Sequence, residues 1–498
     1  MKTNRIYSII ILCLLAAGCT SHKGLDALRE NFLSPPNEAR PGVIWCFMDG
    51  NLSKEGITAD LEGMKEAGIG YAMFMEINVG VPRGKVNFWS EEWQSLFVHA
   101  VNEARRLGIE LTTLTGPGWT GSGGPWVKPE QSMRNLVASD TLVKGQVKFD
   151  AVLALPPPYK PPHDYWQLTP ELRRQWEAYY KDVCVLAFPT PAGDGTIADL
   201  GEKALYYRAP YSSMRGVKHW LPSLAEYQDT PNAAIDRSRV IDLTDKMDAG
   251  GRLQWDVPEG KWTIMRFVMR NNGVVSRPAP EPGLGFECDK LDTTHLNAHF
   301  NQYLGTLFRK TNKTGEVEKR GGWTMLQIDS WEMNTQNWSD NFRSEFTRRR
   351  GYDPLKYLPV YAGKIIDNTE ISERFLWDVR QTAMELLVEN HALHLRTLGR
   401  RYGMTLSIQP YDMNPAADFD LASAADVPGC EFWANGHGYN TVFGCTESAS
   451  VAHIYGRPIV AAEAFTAHTE EGRTLYPETV KNQGDWAFAA GLTRLVYT

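Results

Sequence analysis

The stretch GVIWCFMDGNLSKEGITADLEGMKEAGIGYAMFMEI, residues 42–77, decides the fold. GVIWCF, 42–47, is a short apolar run with β-branched and aromatic residues, the composition of a strand. Ser53 stands where a helix N-cap belongs, helical periodicity follows, and Gly68 ends it. IGYAMFMEI, 69–77, is a second strand, apolar almost throughout, as expected where both faces are covered. A strand, a helix and a strand in immediate succession predict a parallel pair with its crossover helix.

The pattern repeats outward from there. Residues 90–107 carry helical periodicity, and IELTTLTG, 109–116, reads as a third strand. Proline, glycine and strand-like runs such as KDVCVLAFP and GRLQWDVPEGKWTIMRFVMRNNG then predict an inserted β-rich subdomain over 140–280. Helix–strand alternation resumes at 289–308. WTMLQIDSWE (323–332), MTLSIQPYD (404–412), GCEFW (429–433), PIVAAEAFT (458–466) and GLTRLVYT (491–498) are strands four to eight, separated by helical stretches that include 338–350 and 371–399. Eight strands in this order predict a (β/α)8 barrel whose two parts, 30–139 and 281–498, flank the insertion; a doubly wound open sheet is the alternative. The chain stops at Thr498, at the end of the eighth strand and without an eighth helix. The expectation is a C-terminally truncated chain whose barrel stays open and leaves apolar surface uncovered.

The first nineteen residues stand apart. Lys2 and Arg5 precede an apolar run, Ile9 to Ala17, that is short for a membrane span, and Ala17-Gly18 leads into Cys19. This is the layout of an export signal, and Ala17-Gly18-Cys19 resembles the end of a lipoprotein signal, with Cys19 acylated after cleavage and the protein anchored to the outer membrane, on its periplasmic or cell-surface face; a plain secretory signal is the alternative. The other cysteines, Cys46, Cys184, Cys288, Cys430 and Cys445, are odd in number and scattered, so neither a disulfide scaffold nor a zinc site is expected. The net charge of -7, with no basic block, argues against nucleic acid, and no phosphate-binding glycine loop points to a nucleotide. Sixteen Trp and twenty Tyr suit stacking on sugar rings, and equally suit a large core.

A barrel carries its chemistry at the C-terminal ends of its strands. Asp49, Glu76, Asn78, Trp119, Asp329, Trp331, Glu332, Tyr411, Asp412, Glu431, Trp433, Glu463 and Thr466 gather there in the predicted register. Glu332, in Ser330-Trp331-Glu332, and Glu463, in Ala461-Ala462-Glu463-Ala464-Phe465, are acids among apolar neighbours. Cleavage of a glycosidic bond needs two carboxyl groups, one to protonate the leaving oxygen and one to activate water or attack the anomeric carbon. Two unrelated salt-bridged glutamates are the competing reading.

Longer segments carry a resemblance. FLSPPNEARPGVIWCFMDGNLSKEGITADLEGMKEAGIG (32–70), TGPGWTGSGGPWVKPEQSM (115–133), SWEMNTQNWSDNFRSEFTRRRGYDP (330–354), RFLWDVRQT (374–382) and SVAHIYGRPIVAAEAFT (450–466) resemble glycoside hydrolase family 106, the α-L-rhamnosidases. The resemblance implies an inverting, calcium-assisted hydrolase of terminal α-L-rhamnose in plant polysaccharides and glycosides, with Glu332 as general acid and Glu463 as general base. An inverting pair holds its carboxyls about 6.5–9.5 Å apart. The resemblance adds Glu431 as a third acid, for sugar hydroxyls or a metal, with a role in orienting Glu463 as its alternative. Trp119, Trp126, Trp331, Trp433 and Asn78 are offered as pocket residues, core packing being the other reading of each tryptophan. The calcium ligands are not assigned; Asp329 and Asp412 are acids to consider, with structural roles as the alternative. Gly116, Gly118, Gly121, Gly123 and Gly124 suggest a tight loop that brings backbone close to the ligand. Two other functions stay open: hydrolysis of another deoxysugar or uronic acid, and an inactive carbohydrate-binding lipoprotein.

Overall fold

The computed structural model describes residues 24–160, 168–209, 227–318, 321–410, 416–434, 441–467 and 474–498. The signal segment 1–19, with Cys19, lies outside the described residues, as do Tyr411 and Asp412. In chain order the strands are β1 (Gly42–Met48), β2 (Tyr71–Ile77) and β3 (Glu110–Leu114), followed by β4 (Arg134–Lys144), β5 (Lys148–Val152), β6 (Lys181–Pro189), β7 (Ala234–Ile235), β8 (Ile241–Asp242), β9 (Arg252–Asp256) and β10 (Lys261–Asn271). Then come β11 (Gly322–Ile328), β12 (Ile365–Ile366), β13 (Thr405–Ile408), β14 (Val427–Trp433), β15 (Ala461–Thr466) and β16 (Arg494–Tyr497).

Eight of these close a parallel barrel in the order β1-β16-β15-β14-β13-β11-β3-β2. The open-sheet alternative is thereby excluded. The expected open barrel is corrected too: β1 pairs with β16 through Gly42 with Val496 and Val43 with Tyr497. Two backbone registers suffice to close the ring, because pairing needs the strand and not the helix outside it. Apolar surface is nonetheless exposed outside β15 and β16. A groove of about 940 Å³ lies there, lined in part by Phe465, Tyr476, Phe488 and Tyr497.

Local chemistry explains the βα units. Ser53 accepts from Gly56 N at the start of the helix Lys54–Glu66, and Ser90 caps the helix Glu91–Leu107 through Trp93 N. Gly108, with φ 72°, ends the second helix in the left-handed conformation that glycine takes without strain. Along the strands, side chains alternate between two cores. Tyr71, Met73, Met75, Met325, Val427 and Val496 fill the barrel interior. Ala72 and Phe74 face the helices, as do Cys430, Phe432, Ala462, Ala464 and Leu495.

The insertion between β3 and β11 builds a four-stranded sheet, β4-β10-β6-β8, and a ribbon of β5 with β9. A core that includes Val185, Leu253, Trp255, Trp262 and Ile264 lies between them. The fourth barrel strand ends at Ile328, four residues short of the expected Glu332. No helix among the described residues is long and apolar enough to cross a membrane.

Candidate active site

Alternation along β14 and β15 aims two acids into the barrel mouth. Cys430 and Phe432 face outward, so Glu431 between them faces inward; Ala462 and Ala464 do the same for Glu463. The two glutamates are register partners on these neighbouring parallel strands, where backbones lie about 4.8 Å apart. A bulge then shifts the pairing, so that Trp433 aligns with Thr466 instead of Phe465. Phe465 adopts φ 62°, a conformation costly for an aromatic residue. The bulge turns Thr466 toward the site, where its Oγ1 donates to Glu463 Oε1 at 2.7 Å. Gln409, just past β13, also hydrogen-bonds Glu463. Trp433 Nε1 donates to Glu431 Oε1.

Two further acids arrive from β11. Asp329, the residue after it, is buried and accepts from Gln327 Nε2 at 3.1 Å. Glu332 lies three residues on, half-buried in a segment without regular structure. The electrostatics bind the four into one group. Burial pushes the Asp329 carboxyl up to about 8, and the charges of Glu463 and Glu332 add to it. Burial raises Glu431 to about 8 as well, with Glu463, Asp329 and Glu332 contributing. Glu463 is raised by burial and by Glu332, against the hydrogen bonds from Thr466 and Gln409, which favour its ionised form. Below them the Cys46 thiol is pushed up to about 12 by burial, then by Glu463 and Asp329. Such crowding of acids beside apolar walls is where acid–base chemistry is arranged.

The other residues expected from the sequence are placed differently. Trp119 is half-buried against the apolar set inside the barrel, and its Nε1 has no hydrogen-bond partner. Trp331 is 3% exposed and belongs to the main core instead of lining an open wall. Trp126 packs on Trp89 and Tyr303 and donates to His299, away from the four acids. Asn78 uses its Oδ1 to accept from Gly80 N, closing its own turn. Glu76 faces outward, where it accepts from Gly50 N at 2.8 Å and Trp93 Nε1 at 3.3 Å, and burial raises it to about 7. The loop glycines serve a backbone approach within the protein: a Cβ on Gly118, at φ 74°, would meet the Arg277 carbonyl carbon at 2.4 Å. Among the described residues no three His, Cys, Asp or Glu side chains converge as metal ligands. Sequence reasoning passed over Gln327 and Gln409. Strand alternation puts both on the same inward face as the acids, and that was the available signal.

Comparison with known proteins agrees with this geometry. A putative beta-glucuronidase of Formosa agariphila is 35% identical over 495 residues, covering 99% of this chain and 39% of that protein. The solved rhamnosidase of Novosphingobium sp. PP1Y superposes with a TM-score of 0.78 at 26% identity, over 95% of this chain and 56% of that one. The chain thus spans well under two thirds of the length of either. The family model for alpha-L-rhamnosidase, glycoside hydrolase family 106, matches residues 33–498. With an eight-stranded barrel and four acids gathered at its mouth, this chain belongs to that family of glycoside hydrolases.

Proposed function

We propose that the protein hydrolyses terminal α-L-rhamnosides of plant polysaccharides or glycosides, with inversion, using Glu332 as general acid and Glu463 as general base. The observation that carries this reading is the placement of Glu463 on β15 and of Glu332 just beyond β11, two acids at the C-terminal ends of strands of one closed barrel. Glu332 gives its proton to the glycosidic oxygen as the bond to the anomeric carbon breaks. Water attacks that carbon from the opposite face and loses its proton to Glu463. The hydrogen bonds from Thr466 and Gln409 hold Glu463 ready to accept it. Glu431 faces the sugar hydroxyls and accepts or donates as its proton allows. Rhamnose release by the unmutated chain, lost in Glu332→Gln and Glu463→Gln, tests the assignment.

The uronic-acid reading gains interest from the name of the Formosa agariphila relative. A uronate would bring its carboxylate beside the ionised Glu463, which favours a neutral deoxysugar. We also propose that Cys19 carries the lipid that anchors the protein to the outer membrane. Labelled palmitate is expected to enter the unmutated protein and not Cys19→Ala; equal incorporation would contradict the anchor.

A further inference from the structure

The segment that carries Glu332 is irregular yet deeply buried. Between the end of β11 and Asn341 it forms a single isolated bridge, Trp338 with Arg134, and Met333 to Ser339 are all buried. A buried loop must find partners for its polar groups or be destabilised by each one left unpaired. Several of its partners come from the inserted subdomain, beside Tyr361, whose hydroxyl donates to Asn337 O at 3.3 Å. Asn337 Oδ1 accepts from Leu136 N of β4 at 2.8 Å, and its Nδ2 donates to Ala204 O at 2.7 Å. Thr335 Oγ1 donates to Leu205 O at 2.6 Å, while Thr335 O accepts from Asn272 Nδ2 at 3.0 Å. Leu136 lies in β4, Asn272 directly follows β10, and Ala204 and Leu205 lie between those strands, so all four belong to the insertion.

The barrel side of the segment is held by Trp331. Its ring lies between the Lys290 ammonium, 5.8 Å from the ring centroid, and the His391 ring, edge-on at 6.1 Å. His391 belongs to a π-helical stretch, Leu387–Leu393, that widens the helix following Thr369. Its Nε2 meets Ser122 Oγ at 2.7 Å. Glu332 thus sits between a residue clamped by the barrel and a stretch fastened to the insertion.

We propose that the inserted β-rich subdomain is part of the catalytic apparatus, acting through Thr335 and Asn337 as positioning residues that hold Glu332 on the glycosidic oxygen. The inference rests on the reading of Glu332 as general acid. Misplacing a catalytic group by about 1 Å can cost about 100-fold, and the loss falls on the step that needs the proton. An activated nitrophenyl α-L-rhamnoside leaves with little protonation, whereas methyl α-L-rhamnoside needs it fully.

The test compares kcat/KM on these two substrates for the unmutated full chain, Thr335→Val, Asn337→Ala and Glu332→Gln. Thr335→Val keeps the side-chain shape and removes one hydrogen bond, so it carries the test where Asn337→Ala folds poorly. Arg252→Ala, in the exposed β5–β9 ribbon, serves as an insertion control expected to act as the unmutated chain does on both substrates. The expected result is that Thr335→Val loses about 10-fold more on the methyl than on the nitrophenyl rhamnoside, in the direction of a larger discrimination by Glu332→Gln. Equal losses on both substrates in Thr335→Val, while Glu332→Gln discriminates, would overturn the positioning role. No discrimination by Glu332→Gln would instead overturn the acid assignment, and the proposal with it.

Discussion

Glu431 and Glu463 are register partners on adjacent parallel strands, both facing the barrel mouth, yet they are held differently. Glu463 has hydrogen bonds from Thr466 and Gln409, whereas Glu431 has the Trp433 indole. Two carboxylates this close resist ionising together. The charge is better hydrogen-bonded on Glu463, and its presence helps to raise Glu431 to about 8. The pair therefore divides into an ionised base and a proton-holding neighbour.

This division has a consequence for stability. In the unfolded chain Glu431 and Asp329 would titrate near 4.5 and 3.8, and in the fold both stand at about 8. Between those values the unfolded state binds fewer protons. The stability these groups contribute is therefore full below about pH 4 and falls as pH rises toward 8. The melting temperature of Glu431→Gln is expected to depend less on pH between 5 and 8 than that of the unmutated chain. Parallel curves would contradict the raised carboxyl.

Glu431 is expected to act on binding more than on the chemical step. A hydrogen bond from a neutral group is worth about 0.5–1.5 kcal/mol, so Glu431→Gln should raise KM for an aryl rhamnoside by about 2- to 10-fold. Steady-state kinetics near neutral pH check this. A loss confined to kcat would place Glu431 in proton transfer instead.

Inversion has a direct signature. Proton magnetic resonance of the first-formed sugar should show β-L-rhamnose before mutarotation, because water enters opposite the leaving group. First-formed α-L-rhamnose would mean a covalent intermediate and a nucleophilic role for Glu463.

The barrel was legible because its βα units are local. Ser53, Ser90 and Gly108 mark their helix ends within a few residues of the strands they serve. Closure was not legible, since the pairing of Gly42 with Val496 joins opposite ends of the chain and leaves no local trace. Direction across the barrel wall was legible only where the two faces differ. In β14 and β15 acids interrupt an apolar row, and Glu431 and Glu463 stand out. In β2 every residue is buried, so nothing in YAMFMEI told that Met75 points inward and Glu76 outward. The end of β11 was misread because apolar burial continues beyond it. Trp331, inside the expected strand 323–332, belongs instead to a buried loop with hydrogen bonds to the distant insertion.

The most direct measurement is hydrolysis of an aryl α-L-rhamnoside by the purified protein, followed as rhamnose release, beside Glu332→Gln and Glu463→Gln of unchanged melting temperature. The expected result is turnover by the unmutated chain and losses in kcat of about 100-fold to 10,000-fold in each variant. Binding of the rhamnoside without turnover in the unmutated chain, or undiminished turnover in both variants, would contradict the assignment of Glu332 and Glu463 as acid and base.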